Sequence, residues 1–167
     1  MAKLSRQRFG SLQYWPRKRA SKILPRVNWT PVKGEGLLGV IAYKAGMGTA
    51  IVRDKTEKSL TINKKVALPV TILEIPHVKI FSVRFYSHGK IIKEVVVSND
   101  AMLKRIVRVP KQVKHELPEV TGWDEIRVVL YSVMKDMYKK APNLNEVAVK
   151  GKALEWVKQW VGKEIPA

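Results

Sequence analysis

The first 34 residues carry positive charge without any negative charge, and this imbalance limits how the segment can fold. No Asp or Glu occurs from Met1 to Gly34, whereas the stretch holds nine cations, which are Lys3, Arg6, Arg8, Arg17, Lys18, Arg19, Lys22, Arg26 and Lys33. Its apolar residues follow no lasting period of 3.6 or 2. Such a segment cannot bury enough apolar surface to offset its ordering entropy, so we expect an extended arm that orders only against a partner.

Aromatic rings stand between these cations, at Phe9, Tyr14, Trp15 and Trp29. Cations contact phosphates and flat rings stack on unpaired bases, so the mixture favours RNA as the partner. The alternatives are a solvated, disordered basic tail and an organelle transit peptide, whose amphipathic helix is disfavoured by Pro16, Pro25 and Pro31. We expect RNA contacts from the arm and from one lysine beyond it, at Arg6, Arg8, Trp15, Arg17, Lys18, Arg19, Lys22, Arg26, Trp29 and Lys44.

The rest of the chain is also basic, but its composition permits a folded core. The 167 residues have a net charge of +18, of which half lies beyond the arm, and 46% of them are hydrophobic. This length suits one medium domain, or a small domain with extensions. The absence of cysteine excludes disulfides and thiolate metal sites. No apolar run has the length of a membrane helix and the N-terminus lacks the apolar stretch of a secretory signal, so we expect no membrane partner.

Residues 35–97 are predicted to form strands. A polar loop at Asp54–Lys58 and a hairpin loop at Ser87–Lys90 separate some of them, and Lys44–Gly48 is predicted to be a turn. Within the third strand, Pro69 favours an edge position. The predicted strands are Leu37–Tyr43, Thr49–Arg53, Val66–Ile75, Val78–Tyr86, in which Phe81, Val83 and Phe85 share a face, and Ile91–Val97.

From Ser98 onward the pattern favours helices. A short helix is predicted from a cap at Ser98-Asn99-Asp100 through about Val107. Thr121–Asp124 resembles a capping box, and a second helix is predicted after it because an apolar stripe follows, formed by Ile126, Val129, Leu130, Val133, Met134 and Met137. A short strand is predicted at Glu146–Val149. The last helix is predicted at Lys152–Val161, with core packing expected for two tryptophans on it, Trp156 and Trp160.

No arrangement of residues supports catalysis, a cofactor or a metal. Asp124-Glu125 is the only adjacent acidic pair and suits a helix start, and Gly46-Met47-Gly48 lacks the remainder of a phosphate loop. The histidines share no ligand spacing; they are His77, His88 and His115. We therefore expect no enzyme. A free-standing RNA-binding regulator or assembly factor would concentrate its charge on a compact module, whereas here the arm is most densely charged, which favours a component of a large RNA particle.

Three blocks of residues resemble the archaeal and eukaryotic family of large ribosomal subunit protein three. The first block resembles the arm of that family and consists of Gly10-Ser11-Leu12, Pro16–Ala20, Pro25-Arg26 and Trp29. Leu38-Gly39 with Tyr43–Met47 resembles its first barrel strand and turn, and Pro69–Pro76 resembles its next strand. After Met47 the family usually continues with Thr-His, whereas this chain has Gly48-Thr49, so no histidine contact can be transferred.

The resemblance implies an α+β fold that is part of a translation-factor-like β-barrel, with a small α/β insert and an extended basic arm. The expected domains are the arm at 1–34, a barrel half at 35–97 and the insert at 98–167. It also implies a cytoplasmic, non-enzymatic ribosomal protein that supports assembly of the large subunit. It would bind the 3′ region of large-subunit rRNA, contact neighbouring ribosomal proteins and need no cofactor or metal.

The resemblance covers only the first half of the family's length. The remaining barrel strands and a long basic loop come later in the family. We therefore expect a separately encoded C-terminal half to dock beside Val66–Ile75 or Leu37–Tyr43, because an open barrel exposes strand edges. A truncated, divergent member held by rRNA alone, or a deliberately expressed fragment, remain open alternatives.

Overall fold

The computed structural model describes residues 10–11, 13, 18–19, 24, 26–113, 117–135 and 137–166. These residues form a sheet-rich α+β structure with one 3₁₀ helix at Ala101–Arg105 and one α-helix, α1, at Ala153–Trp160. The strands are β1 (Gly36–Leu37), β2 (Tyr43–Arg53), β3 (Lys65–Glu74), β4 (Val78–Ser87), β5 (Lys90–Val96), β6 (Glu125–Ser132) and β7 (Leu144–Lys150). All pair antiparallel, in a five-stranded sheet of order β1-β7-β6-β4-β5 and a separate β2–β3 ribbon.

The five-stranded sheet carries a hydrophobic core on each of its faces. One face packs against α1 and the segment around Trp29 and carries the larger core, which includes Ile80, Val83, Phe85, Ile126, Val128, Leu130, Val147 and Val149. The other face packs against the 3₁₀ helix and carries a smaller core of Phe81, Leu103, Val129 and Tyr131. Strands β4 and β5 of this sheet lie before residue 97, whereas β6 and β7 lie after it. The sheet therefore crosses the expected boundary between the barrel half at 35–97 and the insert at 98–167. Neither sheet closes into a barrel within the described residues.

The predicted helix after Asp124 is wrong, because residues 125–132 form β6. This strand lies in the sheet between β4 and β7 and is buried on both faces. Ile126 and Leu130 point into the larger core, whereas Val129 and Tyr131 point into the smaller one. A strand buried on both sides has a continuous apolar run, and such a run also satisfies helical spacing.

The predicted turn at Lys44–Gly48 is also wrong, because β2 runs through it. The register shifts between Lys44 and Gly46, so the extra residue forms a β-bulge. Of the strand expected at Leu37–Tyr43, only Leu37, the last residue of β1, and Tyr43, the first residue of β2, lie in strands. Glycine-rich sequence in a strand marks bulges as well as turns, so the two could not be separated by composition.

Other sequence predictions are confirmed. β4 and β5 form a hairpin whose two turn residues, His88 and Gly89, have φ of 48° and 75°. Positive φ at both positions is typical of two-residue hairpin turns, whose twist matches that of the flanking strands. The last strand and the last helix lie where they were expected. The short helix predicted through about Val107 is a 3₁₀ helix that ends at Arg105, and its predicted cap is wrong, because Asp100 makes no side-chain cap hydrogen bond. The prediction that Phe81, Val83 and Phe85 share one face of the strand is wrong. A register shift between Ile80 and Ser82 turns Phe81 into the smaller core, whereas Val83 and Phe85 lie in the larger one.

Candidate RNA-binding surface

Trp29 packs the C-terminal end of the arm against the folded body. Its side chain is only 7% exposed and belongs to the larger core. A Cβ placed on Gly39 would lie 3.2 Å from the Cη2 atom of Trp29, so the glycine leaves room for the ring. Trp29 therefore packs mainly against protein, although it also lines a groove beside Arg26, and the base contact expected for it from the sequence stays a prediction. An aromatic residue in an acid-free arm can serve as an apolar anchor, which sequence alone does not distinguish from a base contact.

Lys150 holds the neighbouring backbone. Its Nζ donates hydrogen bonds to the carbonyl oxygens of Thr30, at 3.0 Å, and Val32, at 2.5 Å. Lys150 is the last residue of β7, so these bonds tie the chain just after Trp29 to the five-stranded sheet. The arm consequently starts from a fixed point on the body. No sequence signal identified Lys150, since the contacts span about 120 residues of chain.

The other predicted RNA contacts fall into two groups. Lys18, Arg19 and Arg26 are exposed, and Lys44 is exposed on the β2–β3 ribbon beside its bulge. The remaining five lie outside the described residues; they are Arg6, Arg8, Trp15, Arg17 and Lys22. Of the four described cations, Arg26 lies next to a groove of the body.

Arg26 lies where two grooves meet on the face of the sheet opposite α1. The first has a volume of about 770 Å³ and is lined by Arg26, Arg84, Glu94, Arg108 and Glu146, among others. The second, of about 800 Å³, shares Arg26, Asn145 and Glu146 with the first and is also lined by Val27–Trp29 and Arg127. The sheet forms the floor of both grooves.

A network of glutamates and arginines forms that floor. Glu146 accepts hydrogen bonds from Arg84 Nη1 at 2.5 Å, from the Tyr86 hydroxyl at 2.8 Å and from Arg127 Nη1 at 3.2 Å. Arg127 also forms a bidentate pair with Glu125, at 2.9 and 3.1 Å. Burial acts to raise the pKa of Glu146, but the bonds from Tyr86, Arg84 and Arg127 outweigh it and lower that pKa.

The floor therefore does not offer cations to phosphate. Arg84 is also paired with Glu94, whose Oε1 lies 3.0 Å from its Nε. Two arginines thus face three glutamates, with a net charge of −1, and hydrogen bonds to Glu125 raise the pKa of Arg127 further above its ordinary value. Phosphate would be attracted to the rim of the groove, where Arg26 and Arg108 lie, rather than to its floor.

Two further features bear on the class of protein. Within the described part of the chain, no three His, Asp or Glu side chains come together in a group that could hold a metal ion. His88 is in the β4–β5 turn with a 93% exposed side chain, close to Asp124. The same part of the chain has no helix with the length and apolarity that a membrane crossing requires.

Comparison with known proteins identifies similar sequences. The family model for ribosomal protein L3 matches residues 1–102. The large ribosomal subunit protein uL3 of Archaeoglobus fulgidus is 35% identical over 179 residues, which cover 98% of this chain and 54% of the relative. The protein of the same name from Methanobrevibacter smithii is 33% identical over 185 residues, covering 100% of this chain and 55% of the relative. The chain thus spans about half the length of the curated relatives it matches.

Proposed function

Because the chain belongs to the ribosomal protein L3 family, we propose that it is a structural constituent of the large ribosomal subunit that binds rRNA and supports subunit assembly. The observation that carries this proposal is that the family match includes the whole acid-free arm. The proposed location is the ribosome in the cytoplasm, beside neighbouring ribosomal proteins. The proposed role involves no chemical step and no cofactor.

The arm is proposed to make the main electrostatic contact with rRNA. Basic segments that neutralise phosphates release bound counterions, which supplies salt-dependent affinity. Trp29 and Lys150 support this role because they fix where the arm leaves the body, so that fewer orientations must be lost on binding. The proposed RNA contacts are Arg6, Arg8, Trp15, Arg17, Lys18, Arg19, Lys22, Arg26 and Lys44, whereas Trp29 is assigned to the core.

The β2–β3 ribbon is proposed to be one wall of the translation-factor-like barrel. One face of the ribbon carries small β2 residues opposite apolar β3 residues, in the pairs Gly46–Ile72, Gly48–Val70, Ala50–Leu68 and Val52–Val66. On that face Ile72 is 55% exposed and Leu68 46% exposed. The base of the ribbon is fixed because the Tyr43 hydroxyl bonds Ser132 and Asn143. Exposed apolar strands of this kind favour a polypeptide cover.

We propose that the second half of the family's length supplies this cover. It can reach the ribbon as a continuation of the same polypeptide or as a separately encoded partner. Intact-mass spectrometry of proteins from the purified large subunit separates the two arrangements, because one gives a single long protein and the other gives two proteins of about half that length. Crosslinks from Lys44 or Lys65 to that second half are expected in both cases. Their absence from the subunit would contradict the barrel proposal.

The rRNA-binding proposal is tested by neutralising part of the arm in the full chain. Deleting residues 1–34 would also remove Trp29 from the core, so substitution is the cleaner perturbation. We expect Arg17→Gln, Lys18→Gln and Arg19→Gln together to reduce the slope of log affinity against log salt by about 2–3 for a transcript of archaeal large-subunit rRNA. The matched control removes three exposed lysines near α1, with Lys152→Gln, Lys158→Gln and Lys163→Gln.

Two results would contradict the proposal. Equal slopes for the arm variant and the control would exclude the arm as the main determinant. Recovery of the native protein only in free or precursor fractions, and never in mature large subunits, would favour a regulator or assembly factor over a structural constituent.

A further inference from the structure

We infer that the folded body carries a second phosphate-binding surface, on residues 101–113, which continues the rRNA contact of the arm. This inference rests on the proposed function and extends it to a different part of the molecule. The segment carries four cations and no Asp or Glu; they are Lys104, Arg105, Arg108 and Lys111. All four are exposed.

This segment is held by apolar anchors rather than by charge. Leu103 is completely buried in the smaller core, where Val107 and Val109 also pack. Just before the segment, Asp100 accepts a hydrogen bond from the hydroxyl of Tyr131, a fully buried residue. Because the apolar residues hold the backbone, the four cations point to solvent on a surface that is already ordered. Binding phosphate here would cost less conformational entropy than ordering the arm.

A second stretch of chain adds another cation to the same surface. Arg105 Nη1 donates a hydrogen bond of 2.6 Å to the backbone oxygen of Lys140, whose side chain is exposed. The backbone and side chains of residues 104–109 also line a hollow of about 450 Å³. The hollow is lined by Lys104, Arg105 and Arg108, and the backbone of Lys140 lies beside it, so cations are grouped as expected of a site that follows a phosphate backbone.

The position of this surface relative to the arm supports a single RNA path. Arg108 and Arg26 line the same groove of about 770 Å³. The groove floor carries a net charge of −1, so Arg26 and Arg108 provide the attractive positions. An RNA strand that contacts the arm at Arg26 would next meet Arg108 and then Lys104.

An ordinary solvated face is the competing interpretation, and the opposite side of the protein shows what such a face looks like. Around α1, acidic residues accompany the lysines: Lys152 lies 3.7 Å from Glu155, and Glu164 follows Lys163. Surfaces that need only solubility usually mix both signs in this way. Residues 101–113 do not, which favours a polyanionic partner.

The test is a triple substitution in the full chain, with Lys104→Gln, Arg108→Gln and Lys111→Gln. Arg105 is left unchanged because it holds the backbone of Lys140. We expect the slope of log affinity against log salt for the large-subunit rRNA transcript to fall by about 2–3. This loss should add to the loss caused by the arm variant. The melting temperature should equal that of the unmodified chain. The matched control is the triple variant near α1, with Lys152→Gln, Lys158→Gln and Lys163→Gln, which removes the same number of charges. A second control, Arg108→Lys, keeps the charge and should retain the salt slope.

The outcomes separate this inference from the proposed function. A slope equal to that of the α1 control, while the arm variant still loses slope, would overturn the second surface and leave rRNA binding intact. Salt-independent or absent binding by the unmodified chain would overturn both. If the triple variant retains rRNA binding but loses an acidic protein of the subunit, the surface binds protein and the RNA assignment is wrong.

Discussion

Replacing Trp29 by alanine separates an apolar anchor from an RNA contact. The ring is 7% exposed and packs in the larger core. Removing a buried tryptophan typically costs about 3–5 kcal/mol, as lost transfer free energy plus the cavity that remains. For a chain of this size each kcal/mol lowers the melting temperature by about 2–4 °C, so we expect a fall of about 6–20 °C.

The measurement is urea unfolding followed by far-UV circular dichroism, which does not depend on the other four tryptophans. Trp29→Phe keeps an aromatic ring in the core, so it should lose less than about half as much stability. Tyr138→Ala removes an aromatic side chain in a residue that is 72% exposed and should cost less than about 1 kcal/mol.

The two roles of Trp29 give opposite patterns. An anchor predicts a large stability loss for Trp29→Ala, with rRNA affinity retained by Trp29→Phe wherever that variant is folded. A base-stacking residue predicts unchanged stability and weakened RNA binding. A stability loss below about 1 kcal/mol together with reduced rRNA affinity would refute the anchor and the fixed starting point of the arm.

Three more predictions concern single residues. Lys150→Met should keep the fold but increase amide exchange at residues 30–33, measured by hydrogen exchange, because the backbone bonds to its ammonium are lost. Glu146→Gln should cost about 1–3 kcal/mol in urea unfolding near pH 7, since it leaves two arginines less well paired. The folded-state pKa of Glu146 is lowered, so its stabilising contribution is complete above the unfolded pKa of about 4.3 and disappears as pH falls through the folded pKa; the Gln variant should lack this part of the acid-induced loss. Tyr131→Phe should cost about 1–3 kcal/mol in the same assay because it leaves Ser98 and Asp100 without their hydroxyl partner.

The sequence predicted the local features well. The β4–β5 hairpin, the last strand and α1 depend on turn residues and on periods within one segment, and these were identified. The main error, β6, arose because Ile126, Val129 and Leu130 fit helical spacing although they belong to the two faces of a buried strand. The β-branched pair Val128-Val129 was the available sign of a strand.

The candidate surface was less predictable because it depends on contacts between distant segments. The arm was evident from charge alone, but the anchoring of its end by Lys150 was not. Arg84 and Arg127 look in sequence like any other cations, and only their glutamate partners in the sheet show that they are neutralised. Conversely, Lys104 and Arg108 could have been found by scanning for acid-free segments beyond the arm.

Under the proposed function, the distribution of charge predicts which side of the protein would face RNA. Thirteen of the eighteen net positive charges lie in residues 1–34 and 101–113, and the other 120 residues carry only five. Arg26 and Arg108, one from each segment, line the same groove on the face of the sheet away from α1. The α1 side has mixed charges, and the ribbon presents an apolar face with Leu68 exposed. RNA and polypeptide partners therefore need not compete, because each finds a surface of matching chemistry on a different side. A variant with altered apolar ribbon residues, such as Leu68 and Ile72, should keep its rRNA salt slope, whereas a variant of the 101–113 segment should keep its polypeptide contacts.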